Sequence, residues 1–113
     1  MYMRNQNNET LIIKAIGERK VITFDYKSDA DPIGTMRSGN PHAMYEHLKT
    51  GNVLLDLFQT EGQSSERYKL PVWREFKVDK MSNIRIMDNR NFETQKNYNP
   101  NAEKYLRAIA KIR

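Results

Sequence analysis

Two histidines, a Gly/Ser loop, a run of aspartates and two aromatic–basic pairs are where this chain of 113 residues could do chemistry. His42 and His47, with Tyr45 and Glu46 between them, offer imidazoles and a carboxylate, the ligand types of a zinc site. The spacing argues against one. Positions 42 and 47 differ by an odd number, so on a regular strand they face opposite sides of the sheet. His42, next to Pro41, reads instead as a polar contact in a groove or as a rim residue. Gln59, Gly62, Ser64 and Ser65 form a loop whose backbone N–H groups could hold a phosphate, or simply a hairpin connection. Neither serine has a base at a catalytic spacing, so nucleophilic catalysis lacks support and no enzymatic activity is expected. Asp25, Asp29 and Asp31 lack the glycine and distal glutamate of a calcium loop. Tyr68–Lys69 and Trp73–Arg74 each set a ring beside a cation, the pattern that single-stranded nucleic acid needs. Trp73 reads more readily as a core or half-buried ring.

Composition removes other classes. With no cysteine there is no disulfide scaffold, thiol nucleophile or thiolate zinc, and no cofactor or metal is expected. No apolar run approaches the roughly 18 residues of a membrane span, and the opening MYMRNQNNET has no apolar signal core. The reading is a cytoplasmic protein. Its net charge of +5 is unevenly placed. Residues 1–65 carry 7 Lys and Arg against 8 Asp and Glu, whereas residues 66–113 carry 12 against 6. A basic balance favours an anionic partner such as nucleic acid or a nucleotide, although it also serves plain solubility.

The elements that must position these residues fit one domain, 1–113, with the Asn-rich residues 1–8 expected to be flexible. A helix is predicted over 9–18, with Asn8 as N-cap and Gly17 near its stop. Strict alternation predicts a strand over 20–27, followed by a polar loop at 28–35. Further strands are expected at 41–48, 53–60, 72–78 and 83–87, with a polar loop at 61–66 and a tight connection at 79–82. The stretch 53–60 has large residues on both faces and belongs near the sheet centre. Asn99 and Pro100 then open a final helix whose stripe is Ala102, Tyr105, Leu106, Ile109 and Ile112. The fold class is α+β: about five antiparallel strands curled into a partly open barrel between two helices.

Four stretches carry a resemblance to a known family. They are LIIKAIGERKVITFDY at 11–26, RSGNP at 37–41, GNVLL at 51–55 and FKVDKM at 76–81. In this order they resemble the opening helix and strand, the Arg-x-x-x-Pro step, the name-giving triplet and the Phe-Arg-Leu-Asp-Arg-Ile signature of the WYL domain. Phe92 fits the same pattern. The triplet keeps only Leu55, and Lys77 and Lys80 stand where the signature has arginines, which keeps charge but loses the flat bidentate fork. The resemblance implies an Sm-like or SH3-like β-barrel with a regulatory role in transcription, DNA-damage response or phage-related defence. A stand-alone form, without the helix-turn-helix, is expected.

The same resemblance implies a basic groove for an anionic ligand, single-stranded nucleic acid or a nucleotide-type effector, with Arg37, His42, Tyr45, Arg74, Lys77 and Lys80 as its residues. Alternation adds a constraint. Arg74 shares a strand face with Phe76 and Val78, whereas Lys77 shares the other with Trp73. Two partner expectations stand beside the ligand. One is a separate DNA-binding protein, and the other is a second copy of this chain, packed through the amphipathic last helix as an interaction module.

Overall fold

The computed structural model describes residues 4–28, 31–64 and 69–113, with side chains from residue 34 onward in the second stretch. Helix α1 spans Gln6–Glu18 and buries Ile12, Ala15 and Ile16, the apolar stripe that the spacing predicts. Its N-cap is Asn5, not Asn8: the Asn5 side chain accepts the Asn8 backbone N–H at 3.0 Å. Asn8 is needed elsewhere. Its side-chain amide donates to Val78 O at 3.0 Å and Met81 O at 2.8 Å, pinning α1 to the sheet. Gly17 stands next to the last helical residue, Glu18, as expected. The turn closes at Arg19, whose φ of 56° and ψ of 47° give the left-handed C-cap.

Six antiparallel strands follow: β1 (Lys20–Ser28), β2 (Asp31–Glu46), β3 (Val53–Gly62), β4 (Val72–Lys77), β5 (Met81–Asn91) and β6 (Ala108–Lys111). The expected loop at 28–35 is shorter than its composition implies. Pairing of Ser28 with Asp31 and Tyr26 with Thr35 draws that stretch into β2, making β2 16 residues long. The connection after β4 is a 3-10 turn, Val78–Lys80.

The sheet order is β4-β3-β2-β1-β5, with β6 added on β2. Strand β2 organises it, pairing with β3 from Arg37 to Glu46. On its opposite edge it pairs with β1 up to Gly39 and with β6 at Ala43 to Tyr45. Among the described residues no ladder joins β4 to β5, so the sheet is curled but open. The closed Sm-like barrel is not formed by these pairings.

The final helix is not formed either. Asn99 and Pro100 lie in a turn, Glu103–Tyr105 is a single 3-10 turn, and Ala108–Lys111 is strand β6. The reason is tertiary. Without β6, the backbone groups of β2 at Ala43 to Tyr45 that point away from β3 would have no ladder partner, and long-range pairing outweighs a local helical spacing. The predicted stripe is split as a result. Ile112 joins the main core and Tyr105 a second cluster, while Leu106 is 78% exposed.

The two clusters lie on opposite faces. The inner one gathers α1 with Phe24, Met44, Leu55, Leu57, Phe76 and Met81. The outer one gathers Ala43, Tyr45, Leu54 and Tyr105, with Tyr98 and Ala102 packed on it from the segment after β5. Alternation along β3 and β4 assigns every neighbour to one face or the other. No described helix is long and apolar enough to cross a membrane.

Candidate functional site

On the inner face β4 contributes Arg74 and Phe76, and β2 contributes Arg37. The Arg37 guanidinium lies 5.7 Å from the Phe76 ring centre and 5.8 Å from that of Tyr26. The Arg74 guanidinium lies 5.4 Å from the same Phe76 ring. Two positive groups thus converge on one aromatic ring, in cation–π range. Arg37 Nε donates to Thr35 Oγ1 at 3.2 Å, and Arg74 Nη1 to Ser64 Oγ at 3.2 Å. The Tyr26 hydroxyl accepts the Lys77 backbone N–H at 3.0 Å, which ties β1 to the end of β4. Burial pushes the Tyr26 phenol up, and the Lys77 hydrogen bond, followed by the two arginine charges, partly offsets this. Arg37 is only 5% exposed and Arg74 half-buried, so Arg74 is the more accessible of the two.

The other sequence-predicted residues do not join them. Lys77 is exposed on the opposite face of β4, and Lys80 sits half-buried in the 3-10 turn. His42 is neither a groove contact nor a rim residue: it is fully buried. Pro41 pairs with Leu57 and Ala43 with Asp56, which leaves His42 as the extra residue of a β-bulge. The bulge turns its ring among Trp73, Phe92 and Tyr98, at centre distances of 4.7, 5.2 and 5.1 Å. His42 Nε2 accepts the Gln95 N–H at 3.0 Å and Nδ1 lies 2.8 Å from Asn40 O, which together fix the neutral tautomer protonated on Nδ1. Burial lowers its pKa. His47 stands apart, its Nδ1 accepting the N–H groups of Lys49 and Thr50 in the turn before β3.

Tyr45 lies on the outer face, in acidic surroundings. Its hydroxyl is 2.9 Å from Asp56 Oδ1 and 2.8 Å from Glu75 Oε2. Asp56 also accepts the Tyr105 hydroxyl at 2.6 Å and pairs with the Lys104 ammonium at 2.6 Å. Burial raises the pKa of both phenols, helped by the Asp56 charge and by hydrogen bonds to the carboxylates. Asp56, Glu75, Trp73, Tyr98, Lys104 and Tyr105 border a cleft of about 400 Å³. Sequence reasoning missed it. The available signal was Asp56 itself, a carboxylate in the middle of the apolar run VLLDLF.

The remaining motifs are structural where they are described. The Gln59 amide donates to Glu61 O and Gln63 O, and Gly62 has a φ of 97° that suits the hairpin end. Asp25 accepts from the Asn83 amide. Asp29, Ser65, Tyr68 and the side chain of Asp31 lie outside the described residues.

No family model and no curated protein matches the sequence. A solved structure does match: Proteasome accessory factor B/C (PafBC) of Arthrobacter aurescens, with a TM-score of 0.64 at 17% identity. The alignment covers 81% of this chain and 13% of PafBC, a WYL-domain-containing regulator. That likeness supports a WYL-like fold. It is consistent with the resemblance carried by residues 11–26, 37–41, 51–55 and 76–81, while the sheet described above is open.

Proposed function

We propose that this chain is a non-catalytic regulatory domain that receives an anionic ligand, a nucleotide or a single strand of nucleic acid, at the Arg37–Arg74 centre. The observation that carries the reading is the convergence of both guanidinium groups on the Phe76 ring. Guanidinium is the side chain best suited to a phosphate, because its planar fork donates two parallel hydrogen bonds. Arg74 supplies the accessible donors. Arg37 supplies positive field from beneath, where low dielectric strengthens it. Likeness to part of a regulatory protein is consistent with this role, and the ligand itself is inferred from the charge and geometry.

Assembly through a terminal helix has less behind it. The residues expected to form that apolar face are divided between β6, a 3-10 turn and solvent.

The test is a titration with single-stranded DNA and with ATP across a salt series. Arg74→Ala is expected to weaken binding and to reduce the salt slope for single-stranded DNA by about 0.7. Lys77→Ala, on the other face, changes affinity less. Arg37→Met, which keeps the aliphatic stem against Phe76, is expected to weaken binding while the circular dichroism spectrum holds. Unchanged affinity in both arginine variants would refute the assignment.

A further inference from the structure

The cleft on the outer face is a separate matter, and its chemistry has the opposite sign. Its walls are aromatic and acidic. Tyr98 stacks near Trp73 with ring centres 6.3 Å apart, and lies 5.9 Å from Tyr105, which meets Tyr45 at 5.1 Å. Such ring faces carry negative quadrupole potential and attract cations. Beside them stand the carboxylates of Asp56 and Glu75. Arg74 forms part of the wall, yet its guanidinium is turned to Phe76 on the inner face.

The chain itself shows which kind of group this cleft takes. The Lys104 ammonium sits 5.3 Å from the Tyr105 ring centre and 5.9 Å from that of Tyr45 while pairing with Asp56 Oδ2. The Lys104 side chain is 53% exposed, so solvent already reaches it and a competitor can replace it. One ammonium does not balance two carboxylates. The Tyr45 hydroxyl has a single hydrogen but lies within 2.9 Å of Asp56 and 2.8 Å of Glu75. When both acids are ionised, one of those contacts sets phenol oxygen against carboxylate oxygen with no hydrogen between. An added donor with positive charge relieves that contact, and a primary ammonium brings three N–H groups.

We propose that this cleft binds a small alkylammonium of the diamine or polyamine class. Its ammonium lies between Asp56, Glu75 and the faces of Tyr105 and Tyr45, in place of Lys104. The volume of about 400 Å³ suits a short amine, within the range of small-molecule sites. The carboxylates select for N–H donors, so a primary amine binds better than a quaternary one.

Trp73 is the chain's single tryptophan and lines the cleft, so its emission reports directly on occupancy. The experiment titrates the full chain with putrescine, spermidine and choline at matched ionic strength, because unspecific screening would otherwise imitate binding. Putrescine and spermidine are expected to give a saturable change in Trp73 emission, with choline weaker. Glu75→Gln, an exposed position, is expected to weaken the amines about tenfold, the scale of a lost charged hydrogen bond. Lys104→Ala is expected to tighten them several-fold, since it removes the internal competitor and one positive charge. A purely structural cleft would not show that gain. The proposal is overturned by emission that does not saturate, by binding indifferent to Glu75→Gln, by no gain in Lys104→Ala, or by choline binding best.

Discussion

Replacing His42 with alanine separates a structural pillar from a ligand contact, and the expected cost can be worked from its neighbours. Two main-chain groups lose their partners: the Gln95 N–H, now bonded at 3.0 Å, and the Asn40 carbonyl, at 2.8 Å. A buried polar group left without a partner costs about 1–3 kcal/mol. Gln95 is only half-buried, so water recovers part of that. Ring contacts with Trp73, Phe92 and Tyr98 add about 0.5–1.5 kcal/mol. The sum is about 3 kcal/mol, a large share of the roughly 5–15 kcal/mol that holds a domain together. Urea unfolding followed by circular dichroism and by Trp73 emission measures it.

The pH dependence has a definite sign. Burial, and then the nearby Arg19 charge, push the His42 pKa below its ordinary value, while the Asn40 contact and Asp56 oppose them. The unfolded chain therefore binds the proton more readily than the folded one, and stability rises with pH. The contribution is complete above about pH 6.5 and is lost as pH falls from there through the lower folded value. Wild type is expected to lose stability as pH falls below about 6.5, and His42→Ala to lose less over the same interval. A cost below about 1 kcal/mol, or an unchanged acid decline in the variant, would refute the pillar role. Were His42 a ligand contact, its removal would spare stability and reduce binding.

Two further substitutions test how α1 is held. Asn8→Ala removes both hydrogen bonds to the Val78 and Met81 carbonyls and is expected to cost about 2–3 kcal/mol in urea unfolding. Asn5→Ala removes only the cap and is expected to cost about 1 kcal/mol, so the reverse ranking would restore Asn8 as the capping residue. At Gly17 an added Cβ meets nothing within 4 Å and the position is helical, so Gly17→Ala is expected to raise stability by about 0.5–1 kcal/mol. A lower thermal midpoint in that variant would mean that Gly17 ends the helix after all.

The readable parts of this fold are those decided by neighbours in sequence. Alternation placed β1 with its boundary one residue short, and the apolar run at 53–60 became β3, an interior strand between β4 and β2. The unreadable parts are those decided by pairing. Ala102, Tyr105, Ile109 and Ile112 satisfy a helical spacing, yet the open edge of β2 at Ala43 to Tyr45 claims the end of the chain as a strand. Strand β2 itself begins inside a stretch rich in aspartate, proline and glycine, because β1 supplies its partner. The site follows the same logic. Parity correctly separated Arg74 from Lys77, but it could not bring Arg37 beside Phe76, which needs the β2–β3–β4 register. Parity kept His42 apart from His47, but it could not give the direction of the His42 ring, because one bulge residue resets which way the side chains point.

Strand β4 explains why a basic second half did not produce one basic groove. Its alternation sends Arg74 and Phe76 inward and Trp73, Glu75 and Lys77 outward, so a single strand divides a positive centre from an acidic, aromatic cleft. The net charge of residues 66–113 therefore has no direct meaning for recognition; its distribution over the two faces does. Register makes this division strict. A slip of one residue in the pairing of β4 with β3 would carry Arg74 outward to the Asp56 carboxylate and bring Glu75 inward beside Arg37. It would also remove Phe76 from the core. Burial of Phe76 against Phe24 and Tyr26, at ring distances of 5.1 and 4.8 Å, thus fixes the sign of each site as well as the fold.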